Sequence, residues 1–176
     1  ARAAMEAAGL PTAKGSSEPI SSAEVASELA DEIGYPVIIK AAAGGGGIGM
    51  QIVHAANEFE GALKLCQGRA KSAFGDDRVF VEKYIEGAQH VEFQVLADGE
   101  KAIHFGERFC SIQRRHQKLI EEGPWLSDEK RAEVGALVCA GAESVGYKGL
   151  ATFEFLRDKN GDFYFLEVNP RVQVEH

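Results

Sequence analysis

Glu154 and Glu167 lie on either side of Asn160-Gly161 in the closing run LATFEFLRDKNGDFYFLEVNPRVQVEH, Leu150 to His176. Asn-Gly between alternating apolar runs is a strong hairpin signal, because both residues tolerate positive φ. With Asn160 and Gly161 as the two loop residues, Lys159 pairs with Asp162, Glu154 falls opposite Glu167 and Thr152 opposite Asn169. Residues so paired share a sheet face with Cβ atoms about 5 Å apart, and two carboxylates placed there repel by up to about 1 kcal/mol in water. A divalent cation between them reverses the sign, and Mg²⁺ takes carboxylate oxygens together with substrate phosphates in sites that use ATP. The pair points to a metal–nucleotide site for which the rest of the chain must supply phosphate and base contacts.

Three other stretches hold residues with chemical potential. Gly44, Gly46 and Gly49 fit G-x-G-x-x-G within AAAGGGGIGM. A dinucleotide-binding loop must open a helix and be followed by an acidic residue about 20 positions on. Met50 to Val53 is strand-like instead, and there is no GK[ST]. Strand, glycine loop, strand reads either as a flexible turn or as a flap that lays backbone N–H groups over phosphates, where a Cβ would block close approach. Lys40, at the end of the preceding strand, is then a phosphate ligand or a solvated strand-end lysine. Ser111 to Lys118, SIQRRHQK, concentrates Gln113, Arg114, Arg115, His116 and Lys118 in an acidic protein, so it is a solvated loop or the neighbour of an anion. After the hairpin, Asn169 offers a neutral oxygen beside Glu167. Arg171 offers a planar fork suited to a small oxyanion, and Glu175 a general base.

Composition narrows the class. The net charge of −8 argues against a nucleic-acid surface. The 176 residues make one domain or two small ones, and a hydrophobic fraction of 45% is enough for a core. Cys66, Cys110 and Cys139 are far apart with no CxxC spacing, the pattern of a reducing compartment without a zinc site. No signal peptide and no apolar run of about 18 residues is present, so no membrane span is expected. An Ala-rich start without Met reads as a fragment of a longer protein.

The elements that would position these residues follow from periodicity. Arg2 to Ala8 is a short helix closed by Gly9. A capping box at Ser21 to Glu24 opens a helix whose inner face is Val25, Ala26, Leu29, Ala30 and Ile33. Strands are expected at Tyr35 to Ile39, Met50 to Val53 and Val79 to Tyr84, and Asn57 caps a helix to about Phe74 in which Phe59, Leu63 and Leu65 are apolar. Glu82, Lys83 and Ile85 then sit at a lobe boundary, either a salt-bridged strand end or a ligand contact. From His90 to Val95 polar and apolar residues alternate, a half-buried strand. Lys101 to Glu107 returns, Arg108 to Glu122 is irregular, and Ser127 caps a helix to about Val145 with Val134, Leu137, Val138 and Ala142 inward. His54, His104, Trp125 and the cysteines read as structural. The fold class is α+β, divided as residues 1–11 (helix and connector), 12–84 (a small lobe) and 85–176 (an antiparallel sheet with a helix).

Taken together, KAAAGGGGIGM, VEKYIEG, HVEFQVLADG, ERFCSIQRRHQKLIEEGP and TFEF…FLEVNPRVQVEH resemble biotin carboxylase, the ATP-grasp component of biotin-dependent carboxylases, across essentially the whole chain. SIQRRHQK with NPRVQVEH carries most of the specificity. The resemblance implies an ATP-grasp fold, with 12–84 as the lid lobe and 85–176 as part of the central lobe. It implies that Lys40 contacts ATP phosphates, that Gly44, Gly45, Gly46 and Gly47 form the lid, and that Glu82, Lys83 and Ile85 hold adenine. His90, Gln113 and His116 would line the ribose and phosphate side. Glu154, Glu167 and Asn169 would hold Mg²⁺ or Mn²⁺. Arg171, Gln173 and the backbone of Val174 would hold bicarbonate, Glu175 would deprotonate it, and Lys118 would stabilise charge. The implied partners are ATP, bicarbonate, a biotinylated carrier domain and a carboxyltransferase, in a homo-oligomer of the cytoplasm or, in a eukaryote, the mitochondrial matrix. Ile48 departs from the family, which has Arg or Lys there. The alternatives are a carboxyphosphate-forming ligase of the carbamoyl-phosphate synthase type and a fragment inactive alone. In the intact enzyme, Glu167→Ala is expected to abolish Mg²⁺-dependent ATP turnover while leaving the circular dichroism spectrum unchanged; undiminished ADP release would overturn the metal assignment.

Overall fold

The computed structural model describes residues 2–43, 49–114, 117–174 and 176. Elements run α1 (Arg2–Ala7), α2 (Ala23–Ile33), β1 (Val37–Ala41), β2 (Met50–Val53), α3 (Ala56–Phe74), β3 (Val79–Lys83), β4 (Gln89–Asp98), β5 (Ala102–Arg114), β6 (Gln117–Glu122), α4 (Asp128–Ser144), β7 (Lys148–Arg157) and β8 (Phe163–Asn169). They form two compact units, one of Ala13–Ile85 and one of the residues through Thr12 with Glu86–His176.

In the Ala13–Ile85 unit an antiparallel sheet of order β2-β1-β3 is covered on one face by α2 and α3. Alternation puts Val37, Ile39, Val79 and Val81 inward, against Ala26, Ala30, Phe59, Leu63 and Cys66. The helix registers differ from the expected ones. Ser22, not Ser21, is the N-cap of α2 and accepts from the Val25 amide at 3.3 Å; its hydroxyl donates to Glu24, so no capping box forms. The buried residues are Ala26 and Ala30, with Leu29 and Ile33 partly buried beside them, which leaves Val25 about 100° off Ala26 and 51% exposed. α3 starts at Ala56 behind Ala55 with no side-chain cap, so Asn57 is not its cap. Its buried row is Phe59, Leu63, Cys66 and Ala70, and Leu65, two residues round from Leu63, faces out. Gly49 closes the glycine-rich segment at φ +76°, its carbonyl accepting from the Ala41 amide at 3.0 Å and the buried Cys66 thiol at 2.7 Å.

The other unit is a five-stranded antiparallel sheet of order β6-β5-β4-β7-β8. Val91, Phe93, Val95, Phe153, Phe155, Phe163 and Phe165 pack one face beneath Val134, Val138 and Ala142 of α4, with Met5 and Leu10. Ser127 caps α4 as expected, accepting from the Lys130 amide at 3.3 Å. Two expectations fail here. β4 is not half-buried: Glu92 and Gln94 are as inaccessible as Val91 and Phe93, because the second face is also covered. The described residues of 108–122 are not irregular: β5 continues to Arg114 and pairs with β6, with Gln113 opposite Lys118.

The hairpin reaches its expected pairing by another route. The loop is Asp158–Asp162, five residues, not two. The Asp158 carboxylate accepts from the Asn160 and Asp162 amides at 2.8 and 3.0 Å, and Gly161 lies at φ +92°. Near the turn Arg157 faces Phe163 and Phe155 faces Phe165, one register away from the simple count. A bulge between the Phe155 and Glu154 pairings then restores Glu154 opposite Glu167 and Thr152 opposite Asn169. Strict alternation would place Phe163, Phe165 and Glu167 on one face. The extra residue, Leu166, lets both phenylalanines enter the core while Glu167 turns to the other side.

One buried carboxylate ties β5 to the start of α4. Glu107 accepts from the Trp125 and Leu126 amides, each at 2.7 Å, and from Arg131 Nε at 2.6 Å. Burial by itself would raise its pKa; the Arg131 guanidinium and the two amides outweigh that and hold it at about 2, below the ordinary 4.5. Because the folded-state value is depressed, the stabilisation is present above pH 4.5 and is lost as pH falls toward 2. Glu107→Gln is expected to lower stability at neutral pH and to flatten the loss across that acid window, followed as denaturant midpoint against pH. An acid limb parallel to that of the parent would refute this role.

Candidate active site

The buried polar face of the five-stranded sheet is built from two cross-strand rows. Register places Arg108, Glu92, Glu154 and Glu167 side by side on β5, β4, β7 and β8, and Gln94, Thr152 and Asn169 in the row beside them. Three neighbouring carboxylates would repel strongly at this burial unless cations lay among them. Arg108 supplies one, reaching Glu92 Oε1 with Nε at 2.7 Å and Nη2 at 2.5 Å, and Glu121 at 3.2 Å. Lys118 of β6 supplies the second: its ammonium bonds Glu92 Oε2 and stands 3.7 Å from Glu154 Oε1 and 3.9 Å from Glu121 Oε1. Burial alone would lower the Lys118 pKa; the Glu92 and Glu154 carboxylates reverse that and keep it an ammonium. Burial, with the Glu92 carboxylate nearby, pushes the Cys110 thiol up, so this sulfur stays protonated.

His90 covers Glu154 from β4, with Nε2 2.9 Å from Glu154 Oε2. Its tautomer follows from its neighbours. The Gln113 amide nitrogen donates to the Cys110 carbonyl at 2.7 Å and lies 2.8 Å from His90 Nδ1. Nδ1 therefore accepts, which leaves the proton on Nε2, within ion-pair distance of Glu154 Oε2 but outside hydrogen-bond geometry. Burial opposes ionisation of Glu154, but His90, Lys118 and Asn169 hold its pKa below the ordinary value. The Asn169 amide nitrogen sits 2.7 Å from Glu154 Oε1 and 3.5 Å from the exposed Glu167 Oε1. Two carboxylates on a bulged hairpin with an amide between them form a hard, all-oxygen donor set once the amide presents its other end, which fits Mg²⁺ or Mn²⁺. Two further clusters among the described residues come within ligand distance, His90–Glu92–Glu154 and Glu92–Cys110–Glu121. Lys118 or Arg108 already supplies the positive charge in both.

The tail after β8 lies on the same unit. Gln173 is buried and Val174 is 96% exposed. His176 Nδ1 is 2.8 Å from Arg108 Nη1, and its ring meets Phe105 edge-on at 5.7 Å. Arg171 projects an exposed side chain. Thus His90, Gln113, Lys118, Glu154, Glu167, Asn169, Arg171, Gln173 and Val174 all belong to one unit. Lys40, Glu82, Lys83 and Ile85 belong to the other. There Lys40 and Glu82 are diagonal neighbours on the outer face of β1 and β3 and form a 2.5 Å ion pair. The Lys83 ammonium donates to the Gly34 and Tyr35 carbonyls, each at 2.9 Å, and so secures the turn before β1. Gly44, Gly45, Gly46, Gly47, Ile48, His116 and Glu175 lie outside the described residues.

Sequence reasoning passed over Glu92 and Arg108, which organise the row. Alternation marked Glu92 as solvent-facing, and Arg108 opened a stretch read as irregular. The available signal was that Glu92 is third in HVEFQV (90–95) and Glu154 third from the end of ATFEFL (151–156), matching places in two antiparallel strands of similar alternation.

The whole chain, residues 1–176, matches the family model for the carbamoyl-phosphate synthase L chain, ATP binding domain. A biotin carboxylase of Allochromatium vinosum is 52% identical over 99% of the chain and 39% of that relative, and the chloroplastic biotin carboxylase 2 of Populus trichocarpa is 51% identical over 100% and 34%. The chain thus spans about two fifths or less of the curated relatives it matches. Among solved structures, the Campylobacter jejuni biotin carboxylase–β-γ-ATP complex superposes with a TM-score of 0.94 at 50% identity, covering 99% of this chain and 40% of that one. The biotin carboxylase domain dimer of Hydrogenobacter thermophilus 2-oxoglutarate carboxylase, in complex with MgADP, ADP and bicarbonate, gives 0.93 at 46%, covering 99% and 39%. The two-unit α+β architecture is therefore that of the ATP-grasp enzymes, as expected. No described helix is long and apolar enough to cross a membrane, and the relatives include chloroplastic enzymes but lend no support to a mitochondrial location. The chain belongs to the family of carbamoyl-phosphate synthase L chain ATP-binding domains, and its homologues at about half identity include several biotin carboxylases and a pyruvate carboxylase subunit.

Proposed function

We propose that the polypeptide carrying this chain is a biotin carboxylase that uses MgATP and bicarbonate to carboxylate biotin on a carrier domain, with a carboxyltransferase as its downstream partner. One observation carries this reading: a single sheet face sets the Glu154–Asn169–Glu167 oxygen donors beside the Lys118 ammonium and the Arg171–Gln173 tail. That arrangement suits a divalent cation with nucleotide phosphate next to a small oxyanion. The solved relative with MgADP and bicarbonate supports it.

Glu154, Glu167 and Asn169 would hold Mg²⁺ or Mn²⁺, which when bound neutralises phosphate charge. Lys40, the glycine segment 44–47 and Gln113 are assigned to phosphate and ribose, and Glu82, Lys83 and Ile85 to adenine. The geometry leaves the Lys83 backbone for that contact, since its ammonium is engaged elsewhere. Arg171, Gln173 and the Val174 backbone orient bicarbonate, and Glu175 takes its proton. A bicarbonate oxygen then bonds to the γ-phosphorus as the bond to the β-phosphate oxygen breaks, giving ADP and carboxyphosphate. Carboxyphosphate separates into CO₂ and phosphate, the phosphate takes the N1′ proton of biotin, and N1′ adds to the CO₂ carbon. Most of the rate enhancement for phosphoryl transfer comes from positioning and charge neutralisation. Lys118 serves that end as a fixed cation, held by Glu92, and His90 keeps Glu154 ionised. The H. thermophilus relative is a dimer, and the same assembly is proposed for the parent of this chain.

The intact enzyme should form ADP only when bicarbonate is present and should transfer labelled bicarbonate carbon to free biotin. Ammonia-dependent carbamoyl phosphate without biotin carboxylation would assign the chain to the synthase branch of its family instead. The 176-residue segment alone is expected to show little or no carboxylase turnover. Glu92→Ala leaves Arg108 and Lys118 without their shared carboxylate, so stability should fall by about 3–5 kcal/mol, seen as a lower denaturant midpoint. A midpoint within error of the parent would show that Glu92 does not organise this face.

A further inference from the structure

Gln94 and Thr152 are Cα partners across β4 and β7 on the polar face, and both are 0% exposed. An amide and a hydroxyl buried this completely are costly unless each polar atom finds a partner. Gln94 Nε2 donates to the Ala151 carbonyl at 2.9 Å. Three donors lie near Gln94 Oε1: Arg108 Nη2 at 3.3 Å, Thr152 Oγ1 at 3.0 Å and the Gln173 amide at 3.4 Å. Thr152 Oγ1 is also 3.1 Å from the Arg171 carbonyl.

Proton counting selects one arrangement. An amide oxygen accepts two hydrogen bonds, and a hydroxyl donates one. Arg108 and the Gln173 amide fill the Gln94 oxygen, which leaves the single Thr152 proton for the Arg171 carbonyl. The two bonds to the tail hold the carbonyl before Val172 and the amide after it. The tail lies beyond the last residue of β8, so no strand ladder sets its path. Two side chains rising from the sheet take that role.

We infer that Gln94 and Thr152 are positioning residues for bicarbonate, which fix the backbone at Arg171 and Gln173 and so aim the groups that hold the anion. The inference rests on the proposed function for the identity of the anion, but the anchoring itself does not. The test uses the intact carboxylase with Thr152→Val, which keeps shape and removes the proton, and Thr152→Ser, which keeps the hydroxyl. Loss of one hydrogen bond that positions the anion should raise the bicarbonate KM about tenfold in the Val variant, with the ATP KM within about twofold of the parent and near-parental behaviour in the Ser variant. A bicarbonate KM unchanged by Val, an equal rise in the ATP KM, or a Ser variant as impaired as Val would each overturn it. Amide hydrogen exchange reads the anchoring of the tail separately from the identity of the anion. In Thr152→Val and Gln94→Leu, exchange in residues 171–174 should quicken while β4 stays protected. If the parent showed no bicarbonate-dependent turnover, the proposed function would fall, and unchanged exchange in this segment would overturn the anchoring as well.

Discussion

Three carboxylates stand shoulder to shoulder on one face of a β-sheet, and most of what surrounds them exists in answer to their charge. Glu92, Glu154 and Glu167 occupy adjacent strands in one row, the first two almost wholly out of water. A buried carboxylate stays ionised only with cations and hydrogen-bond donors close by. Arg108 flanks the row at one end, Lys118 stands over Glu92 and Glu154, and His90 Nε2 lies 2.9 Å from Glu154 at the side. Each of these partners sits on a particular strand, so the charge requirement also constrains the strands. β5 must bring Arg108 opposite Glu92, and β6 must return far enough to deliver Lys118. Among the described residues, the Glu154–Glu167 end is bridged by a neutral amide, that of Asn169. That end is where a divalent cation suits the donors.

The sheet bears two incompatible faces, and the hairpin shows how they are reconciled. Under α4 the requirement is aromatic volume, met by Phe153, Phe155, Phe163 and Phe165, whose rings meet edge-on or tilted at centroid distances of 5.9–6.3 Å. On the other face the requirement is a carboxylate at Glu167. A regular β8 could satisfy only one of these, since its side chains alternate. The bulge at Leu166 satisfies both, and so the local irregularity is what lets one strand serve core and site together.

Long-range chemistry depends here on short-range pattern in uneven ways. The helices were legible because their stripes repeat every turn, yet Val25 was misplaced because an apolar residue beside a stripe resembles one within it. The hairpin pairing was legible from Asn160-Gly161, although the count succeeded only because a longer loop and a bulge cancel. Arg108 to Glu122 was not legible as strand. Its polar residues serve a face buried by charge pairing, and periodicity reads burial from apolar content alone. The same blindness hid Glu92, Gln94 and Thr152, three polar groups that are more deeply buried than many of the hydrophobic residues around them.

The amino-acid sequence by itself determined the α+β class, the pairing of Glu154 with Glu167, and the concentration of anion-binding groups in SIQRRHQK and NPRVQVEH, because these rest on turn chemistry, strand alternation and residue type. Tertiary structure alone decided which charges neutralise which. The bonds from Arg108 and Lys118 to Glu92 join residues 16 and 26 positions apart, and Lys118 reaches further still along the chain to Glu154. No local pattern encodes that proximity, since it appears only when register and bulges have set the strands side by side.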